Sequence, residues 1–242
     1  MFHSDIEIQE GAFVISDAHY SSIRPQLLDL FLDIQSKKLQ PSQLILMGDI
    51  FDALFGGIEK TSQNNQELVN IINILSQEME IVYLEGNHDF NLKYVFPNAK
   101  VFKISQQPVV CKFQEKKVLL AHGDYDGGFF YRVYSFLIRN PFILKFLNIF
   151  DVYILNKLDN YLNKKDDCKE LSWFEGLIKR RITPSYECDY FVEGHFHQNK
   201  TIKLPHLEYI NLAAFACNQR YFIVKSSKDK EFLEEKSFSK ET

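Results

Sequence analysis

The chain has no long apolar run. Over its 242 residues, no segment reaches the roughly 18 uninterrupted apolar residues that a membrane-spanning helix needs. The first residues also contain neither the basic cluster nor the apolar stretch of a secretory signal. We therefore expect a cytoplasmic protein.

Basic residues are not in excess either. Lys and Arg total 28 against 32 Asp and Glu, which gives a net charge of −4. A general nucleic-acid binder carries a clear basic surplus. We therefore expect no nucleic-acid partner.

Cysteine is scarce and follows no pattern. The four thiols form no C-x-x-C pair; they are Cys111, Cys168, Cys188 and Cys217. We expect free thiols in a reducing compartment. None of them lies in the polar clusters described below, which argues against a structural zinc site.

What the chain does have is an alternation of short apolar runs and amphipathic stretches. Residues 12–16, 43–47 and 80–84 are predicted strands, and the segments between them show helical spacing of apolar residues. This order predicts βαβ units and a parallel sheet. The remaining predicted strands are residues 109–113, 117–121, 189–193, 200–204, 207–212 and 221–225. From residue 226 onwards, alternating charge and serine predicts a frayed segment ending in a charged tail, residues 231–242.

Five predicted strands end in clusters of metal-competent side chains. The clusters are Asp17-x-His19, Gly48-Asp49-x-x-Asp52, Gly86-Asn87-His88-Asp89, His122-Gly123-Asp124 and Gly194-His195-x-His197. Each one alone is explained as well by an exposed turn. Five in succession point to a site, because ligands of open α/β sheets bind at the carboxyl ends of the strands.

The composition of the clusters indicates a metal centre. Asp and His side chains bind Mn²⁺, Fe²⁺, Zn²⁺ or Co²⁺, and seven candidate ligands exceed the needs of one ion. Two ions bridged by a carboxylate lower the pKa of a bound water and stabilise charge on phosphoryl oxygens. The set therefore favours phosphoester hydrolysis.

In this order, the five motifs resemble those of the calcineurin-like metallophosphoesterase superfamily, over about residues 12–215. The resemblance implies an α/β fold, a four-layer αββα sandwich, with two divalent metal ions, Mn²⁺ before Fe, Zn or Co. It assigns one ion to Asp17, His19, Asp49 and His197 and the other to Asp49, Asn87, His122 and His195, with Asp49 as the bridge.

The same resemblance implies roles for the side chains around the ions. His88 would contact the phosphate and protonate the leaving oxygen. Asp89 would orient His88, and Asp52 and Asp124 would support the ligands from behind.

The segment after the fourth cluster has a different character. Residues 128–150 read GFFYRVYSFLIRNPFILKFLNIF, and Pro141 divides them into two predicted short helices. With further helix beyond, we predict a helical cap over residues 128–182, inserted into a core of residues 1–127 and 183–230.

The aromatic residues of this cap have two interpretations. They pack on the body or on a partner copy, or they line a cap that holds an acyl chain, with cations near phosphate or a membrane surface. The second interpretation gives the candidate substrate-binding residues Arg132, Phe136, Arg139 and Phe142.

The length, the segments SDAHYS and GDIFD and the helical insertion resemble the UDP-2,3-diacylglucosamine pyrophosphatases of lipid A biosynthesis. That implies a lipid-linked nucleotide-sugar substrate, release of UMP, and peripheral contact with the inner membrane. The chain departs from that family at His88, where Arg is typical. A soluble phosphodiesterase or phosphomonoesterase acting on nucleotides or phosphoproteins remains an alternative. A non-catalytic scaffold is disfavoured, since all seven ligands are present. The oligomeric state is left open.

Overall fold

Two six-stranded β-sheets form the centre of the fold. The computed structural model describes residues 2–148, 168–182, 186–226 and 231–239. The first sheet contains β2 (Phe13–Ile15), β3 (Leu44–Leu46), β5 (Ile81–Leu84), β7 (Lys100–Phe102), β13 (Arg220–Val224) and β14 (Leu233–Ser237). The second contains β1 (Phe2–Glu7), β8 (Val109–Phe113), β9 (Lys116–Ala121), β10 (Tyr190–Glu193), β11 (Lys200–Lys203) and β12 (Glu208–Asn211). A small pair, β4 (Leu54–Phe55) and β6 (Asp89–Phe90), lies apart.

Helices surround the two sheets. They are α1 (Gln26–Gln35), α2 (Glu59–Asn64), α3 (Gln66–Glu78), α4 (Phe129–Ile138), α5 (Pro141–Leu147), α6 (Phe174–Ile182) and α7 (Phe215–Asn218). Short 3₁₀ helices cover Leu92–Tyr94 and Ile104–Gln106. Among the helices in the described part of the chain, none combines the length and apolarity needed to cross a membrane.

The strand order explains where the core lies. The sheets run β14-β13-β2-β3-β5-β7 and β1-β8-β9-β10-β12-β11. Strands β2, β3 and β5 pair in parallel as predicted, and β7, which the sequence analysis did not predict, pairs in parallel with β5. Successive side chains of a strand point to opposite faces. Ile45 therefore packs with Val118 and Val192 of the second sheet in a core between the sheets. Its neighbour Leu44 packs under α1 and α3.

The second sheet is covered on its outer face by α6. Phe174 and Ile178 of this helix are fully buried against Phe191 and Tyr209. Helices, two sheets and helices thus form four layers, and the predicted αββα sandwich is confirmed.

The described part of the predicted insertion contains the helices α4, α5 and α6, while residues 168–173 form no regular element. Asn140 caps α5, because its side chain accepts hydrogen bonds from backbone N–H groups of the first turn, and Pro141 begins the helix. Leu144 of α5 is buried against Phe90 of the core. The helix predicted over residues 151–162 lies outside the described residues.

The C-terminal tail is a correction to the sequence analysis. Residues 233–237 are not frayed but form β14, which pairs antiparallel with β13 at the edge of the first sheet. Phe232, Leu233 and Phe238 are buried, and these apolar side chains fix the strand in place. Strand β1 also precedes the first predicted strand; its polar sequence FHSDIE gave no apolar pattern.

Candidate metal centre

The five predicted clusters meet where strands of both sheets end. Asp17, Asp49 and Asn87 follow β2, β3 and β5, while His122 and His195 follow β9 and β10. The two sheets are joined there directly. The backbone N–H of His195 donates to the carboxylate of Asp17, 178 positions away, at 2.9 Å.

The backbone of these loops is unusual. Five of the seven predicted ligands have a positive φ, between 46° and 61°: Asp17, His19, Asp49, His195 and His197. A non-glycine residue in this region costs roughly 1 kcal/mol or more, and such residues cluster at functional sites. Glycines make room beside them: a Cβ on Gly86 would lie 2.2 Å from an Asp49 carboxylate oxygen.

The first group of ligand atoms comprises Asp17, His19 and His197, all within 4.8 Å of one another. Nε2 of His197 lies 3.1 Å from Oδ1 of Asp17. His19 has Nδ1 3.2 Å from Oδ1 of Asp52, while its buried Nε2 has no hydrogen-bond partner among the described residues. A buried ring nitrogen without a hydrogen-bond partner is energetically unfavourable, and a bound metal ion would supply the missing partner.

The second group comprises Asp49, His122 and His195. The Nδ1–H of His122 donates to the backbone carbonyl of Met47 at 2.9 Å, which leaves Nε2 as the metal-binding nitrogen; it lies 3.3 Å from Oδ2 of Asp49. The buried Oδ1 of Asn87 has no partner among the described residues. These donors fit a second divalent ion.

Burial and neighbouring charge shift the pKa values of the ligands. Burial disfavours the charged form of His122, yet Asp49 raises the pKa of this imidazole well above its usual range, so binding of a metal ion at Nε2 would release a proton. Burial disfavours the ionised form of Asp49, yet His122 and His88 hold its pKa well below the usual range. Burial lowers the pKa of His195 to about 4, and repulsion from His122 adds to this effect. Ionised carboxylates and neutral imidazoles are the forms that bind metal ions.

His88 and Asp89 do not interact as predicted. The Nδ1 of His88 is held by the backbone carbonyl of Asp52 at 2.9 Å, so its Nε2 is the nitrogen open to the site. Asp89 is fully buried and instead accepts hydrogen bonds from the backbone N–H groups of Asp49 and Ile50, at 3.0 and 2.7 Å, and from the Tyr83 hydroxyl at 2.6 Å. Asp89 shapes the loop that presents Asp49, and the prediction that it orients His88 is corrected.

A cavity of about 350 Å³ lies over the two groups. Metal ligands and His88 line one side, and Lys169, Leu171, Trp173 and Phe196 line the other. The sequence analysis missed Lys169 and Trp173, which belong to no motif. Trp173 is the only tryptophan of the chain and is 53% exposed.

A disulfide bond fixes this wall of the cavity. Cys168 and Cys217 are joined, whereas Cys111 and Cys188 are buried and form no disulfide bond, so the expectation that all four cysteines are thiols is wrong. Cys217 belongs to α7, whose first backbone N–H groups donate to the carbonyls of Ser16 and Asp17 at 2.9 and 3.1 Å. The bond therefore ties the residues beside Lys169 to a ligand loop.

A buried ion pair links two further ligand loops. Arg181 of α6 binds both carboxylate oxygens of the fully buried Glu193 at 2.9 Å and donates to the backbone carbonyl of Gly123 at 3.2 Å. Glu193 precedes Gly194-His195, and Gly123 follows His122. Sequence analysis missed Arg181 and Glu193, because neither residue belongs to a metal-binding motif.

Three of the four predicted substrate residues of the cap line a cavity, and the fourth does not. Arg132, Phe136 and Arg139 line a second cavity of about 550 Å³ between α4 and the core. A guanidinium nitrogen of Arg139 donates to the carbonyl of Gly86 at 2.8 Å, beside Asn87. Phe142 is 82% exposed and lines neither cavity.

The remaining supporting carboxylates lie close to the ligands. Besides its contact with His19, Asp52 lies 3.6 Å from Nη1 of Arg24. Asp124 accepts a hydrogen bond from the Tyr131 hydroxyl at 2.5 Å.

The chain is similar in sequence to known proteins. The model of the calcineurin-like phosphoesterase family matches residues 12–199. The chain is 24% identical over 208 residues to a UDP-2,3-diacylglucosamine hydrolase of Wigglesworthia glossinidia brevipalpis, covering 81% of this chain and 82% of the relative. It is 25% identical over 202 residues to the protein of the same name from Pseudomonas fluorescens, covering 79% and 80%. A solved phosphoesterase from E. coli is 12% identical with a TM-score of 0.47, covering 94% of this chain and 99% of that one.

Proposed function

This chain belongs to the calcineurin-like phosphoesterase family, and from that premise we propose that it cleaves the pyrophosphate of UDP-2,3-diacylglucosamine. Water would be added across the P–O–P link to give UMP and 2,3-diacylglucosamine 1-phosphate. Membership of the family makes the protein a metal-dependent phosphoesterase; the substrate is the proposal. The observation that carries it is the match to two hydrolases of that name over about four-fifths of each chain.

The residues of the candidate metal centre would have two roles, metal binding and proton donation. Two divalent ions, Mn²⁺ in our proposal, would supply Lewis-acid catalysis and neutralise charge on the phosphoryl oxygens. Asp17, His19 and His197 would hold one and Asn87, His122 and His195 the other, with Asp49 shared. His88, fixed through Nδ1, would present Nε2 to the phosphoryl group and, as imidazolium, donate a proton to the leaving oxygen.

The cap supports a lipid substrate and contact with the inner membrane. Several aromatic side chains of α4 and α5 are largely exposed: Phe129 at 75%, Phe130 at 86%, Phe142 at 82% and Phe146 at 61%. They stand beside exposed Arg132 and Lys145. Exposed aromatic side chains interspersed with cations are typical of helices that lie on anionic membranes.

His88 keeps a second candidate open. The lipid A enzymes that this chain resembles typically have Arg at the position of His88. A histidine at this position fits a soluble phosphodiesterase or phosphomonoesterase. Such an enzyme would turn over small soluble esters without help from the cap.

One product assay separates the two candidates. The Mn²⁺-loaded protein would be given UDP-2,3-diacylglucosamine in detergent, UDP-N-acetylglucosamine and a nitrophenyl phosphodiester, with Asp49→Asn as the inactive control. We expect UMP from the diacylated substrate alone. Turnover of only the soluble esters would overturn the lipid substrate and leave the phosphoesterase in place.

A further inference from the structure

Arg139 connects the cap to the loop that carries Asn87. It lies between α4 and α5. Its terminal guanidinium nitrogen Nη2 donates to the backbone carbonyl of Gly86 at 2.8 Å. Its own backbone carbonyl accepts a hydrogen bond from the side-chain amide of Asn91 at 2.9 Å, and its guanidinium carbon lies 4.9 Å from the ring centroid of Phe90. This one cap residue therefore contacts the loop at both of its ends.

The guanidinium of Arg139 is also held from the cap side. Its other terminal nitrogen, Nη1, donates to the hydroxyl of Ser135, a buried residue one turn earlier in α4. A guanidinium is planar and presents its donors in a fixed geometry, so two contacts within the protein are enough to orient it. The link between the cap and the loop thus exists without any substrate.

The Gly86 carbonyl belongs to the peptide bond that leads directly into Asn87. A peptide bond is planar, so a hydrogen bond to this oxygen also orients the backbone nitrogen of Asn87. The core holds the groups on either side of it. The N–H of Gly86 donates to the Asp89 carboxylate at 2.9 Å, and the N–H of His88 donates to the Asp49 carboxylate at 2.8 Å. The peptide between them is held by the cap.

The orientation of this peptide matters because Asn87 is a candidate ligand of the second metal ion. Its Oδ1 is buried and has no hydrogen-bond partner among the described residues. An amide oxygen has no net charge, so its attraction to a cation depends on the direction in which the C=O dipole points. Residues that orient a ligand in this way usually change metal affinity when they are replaced.

We propose that Arg139 is a positioning residue for the second metal ion: through the Gly86 carbonyl it holds the side chain of Asn87 in the direction of that ion. The inference rests on the proposed function for the assignment of Asn87 to the second ion. It gives Arg139 a role different from the substrate-binding role that the sequence analysis expected.

Titration of the metal-free protein with Mn²⁺ tests this role in the absence of substrate. Isothermal titration calorimetry should resolve two binding steps in the unmodified protein. Asn87→Ala identifies the step that belongs to the second group of ligands, because it deletes one of them. Arg139→Met should weaken the same step by roughly 10- to 100-fold, the usual effect of losing a residue that supports a ligand, and should leave the other step unchanged.

Three further variants serve as controls. Arg132→Met removes an exposed cation of the same cap helix and should bind both ions as the unmodified protein does. Arg139→Lys keeps one donor for the Gly86 carbonyl and should recover part of the affinity. Asn91→Gly deletes the amide that contacts the Arg139 carbonyl, and glycine tolerates the φ of 58° at this position. It should weaken the second step by about threefold, as expected for one lost hydrogen bond.

Three results would overturn the positioning role. The first is unchanged affinity for both ions in Arg139→Met or, should circular dichroism show that this variant does not fold, in Asn91→Gly. The second is equal weakening of both steps, which would indicate a general loss of structure. The third is weaker binding of inorganic phosphate at saturating Mn²⁺ with both metal steps intact, which would make Arg139 a substrate-binding residue.

This inference and the proposed function can fail separately. If Asn87→Ala weakened a step that Arg139→Met left unchanged, the assignment of Asn87 would stand and the positioning role would fall. If Asn87→Ala changed neither step, both would fall. Absence of cleavage of UDP-2,3-diacylglucosamine would remove the lipid substrate without affecting either metal-binding step.

Discussion

At the residue scale, the centre relies on groups that never reach the ions. The carboxylate of Asp89 accepts hydrogen bonds from the backbone N–H groups of Asp49 and Ile50. The backbone carbonyl of Met47 orients the ring of His122, and that of Asp52 orients the ring of His88. Such contacts choose the tautomer and the orientation of a ring. Changes at these residues should therefore be distinguishable from loss of a ligand.

His88 offers the first such distinction. His88→Ala should lower kcat by about 10²- to 10⁴-fold, the usual contribution of a general acid, with both ions still bound. The measurement pairs steady-state kinetics on the cleaved substrate with metal analysis of the purified variant. A variant that lost its metal together with its activity would make His88 a ligand rather than a proton donor.

Arg181 provides a prediction on stability. Arg181→Met leaves the Glu193 carboxylate buried without its counter-charge, with only the hydrogen bond from the Tyr209 hydroxyl remaining, which costs about 3–5 kcal/mol of the free energy of unfolding. Urea denaturation should show this loss, and the double variant Arg181→Met/Glu193→Gln should recover part of it, since it removes the charge as well. If the double variant were as unstable as the sum of the single ones, the pair would not be coupled.

At the scale of elements, the segment of the cap that leads into α6 is the least predictable part of the site. Residues 169–173 form no regular element, yet they make one wall of the cavity over the metal ligands. The bond from Cys168 to Cys217 attaches them to α7. The position of residues 169–173 is therefore set by the disulfide bond rather than by secondary structure.

The disulfide predicts a thiol count and a loss of stability. In denaturant without reductant, a thiol reagent should detect two thiols, those of Cys111 and Cys188, and four thiols after reduction. Cys217→Ser opens a link that spans 49 positions, and should lower the free energy of unfolding by up to about 4 kcal/mol in the chain-entropy account. Four thiols without reductant would contradict the bond.

At the scale of the whole molecule, the metal centre joins the two sheets. Ligands from β2, β3 and β5 lie on one sheet and those from β9 and β10 on the other, so ions held between them cross-link the two halves of the sandwich. Without ions, the facing Asp17 and Asp49 repel each other.

Metal removal should therefore destabilise the entire fold. Treatment with EDTA is expected to lower Tm, and titration with Mn²⁺ is expected to restore it. The free energy of unfolding should rise by about 2.7 kcal/mol when free metal reaches 100 times its Kd. Differential scanning calorimetry over a Mn²⁺ series measures this, with Mg²⁺ as a comparison. A Tm independent of every divalent ion would argue against resident metals.

The sequence by itself determined three strands of the parallel sheet, β2, β3 and β5, and the identity of the seven candidate ligands. Apolar runs report burial locally, and Asp and His at strand ends are visible without a fold. It could not show β14, because five residues of mixed charge become a strand only by pairing with β13.

Tertiary structure alone decided which residues support the ligands. The roles of Arg181 and Glu193, and of Cys168 and Cys217, depend on partners that are remote in sequence. The same holds for Asp89, whose adjacency to His88 suggested a contact that the loop geometry directs to Asp49 instead. Local pattern reveals what a residue can do, and only packing determines what it faces.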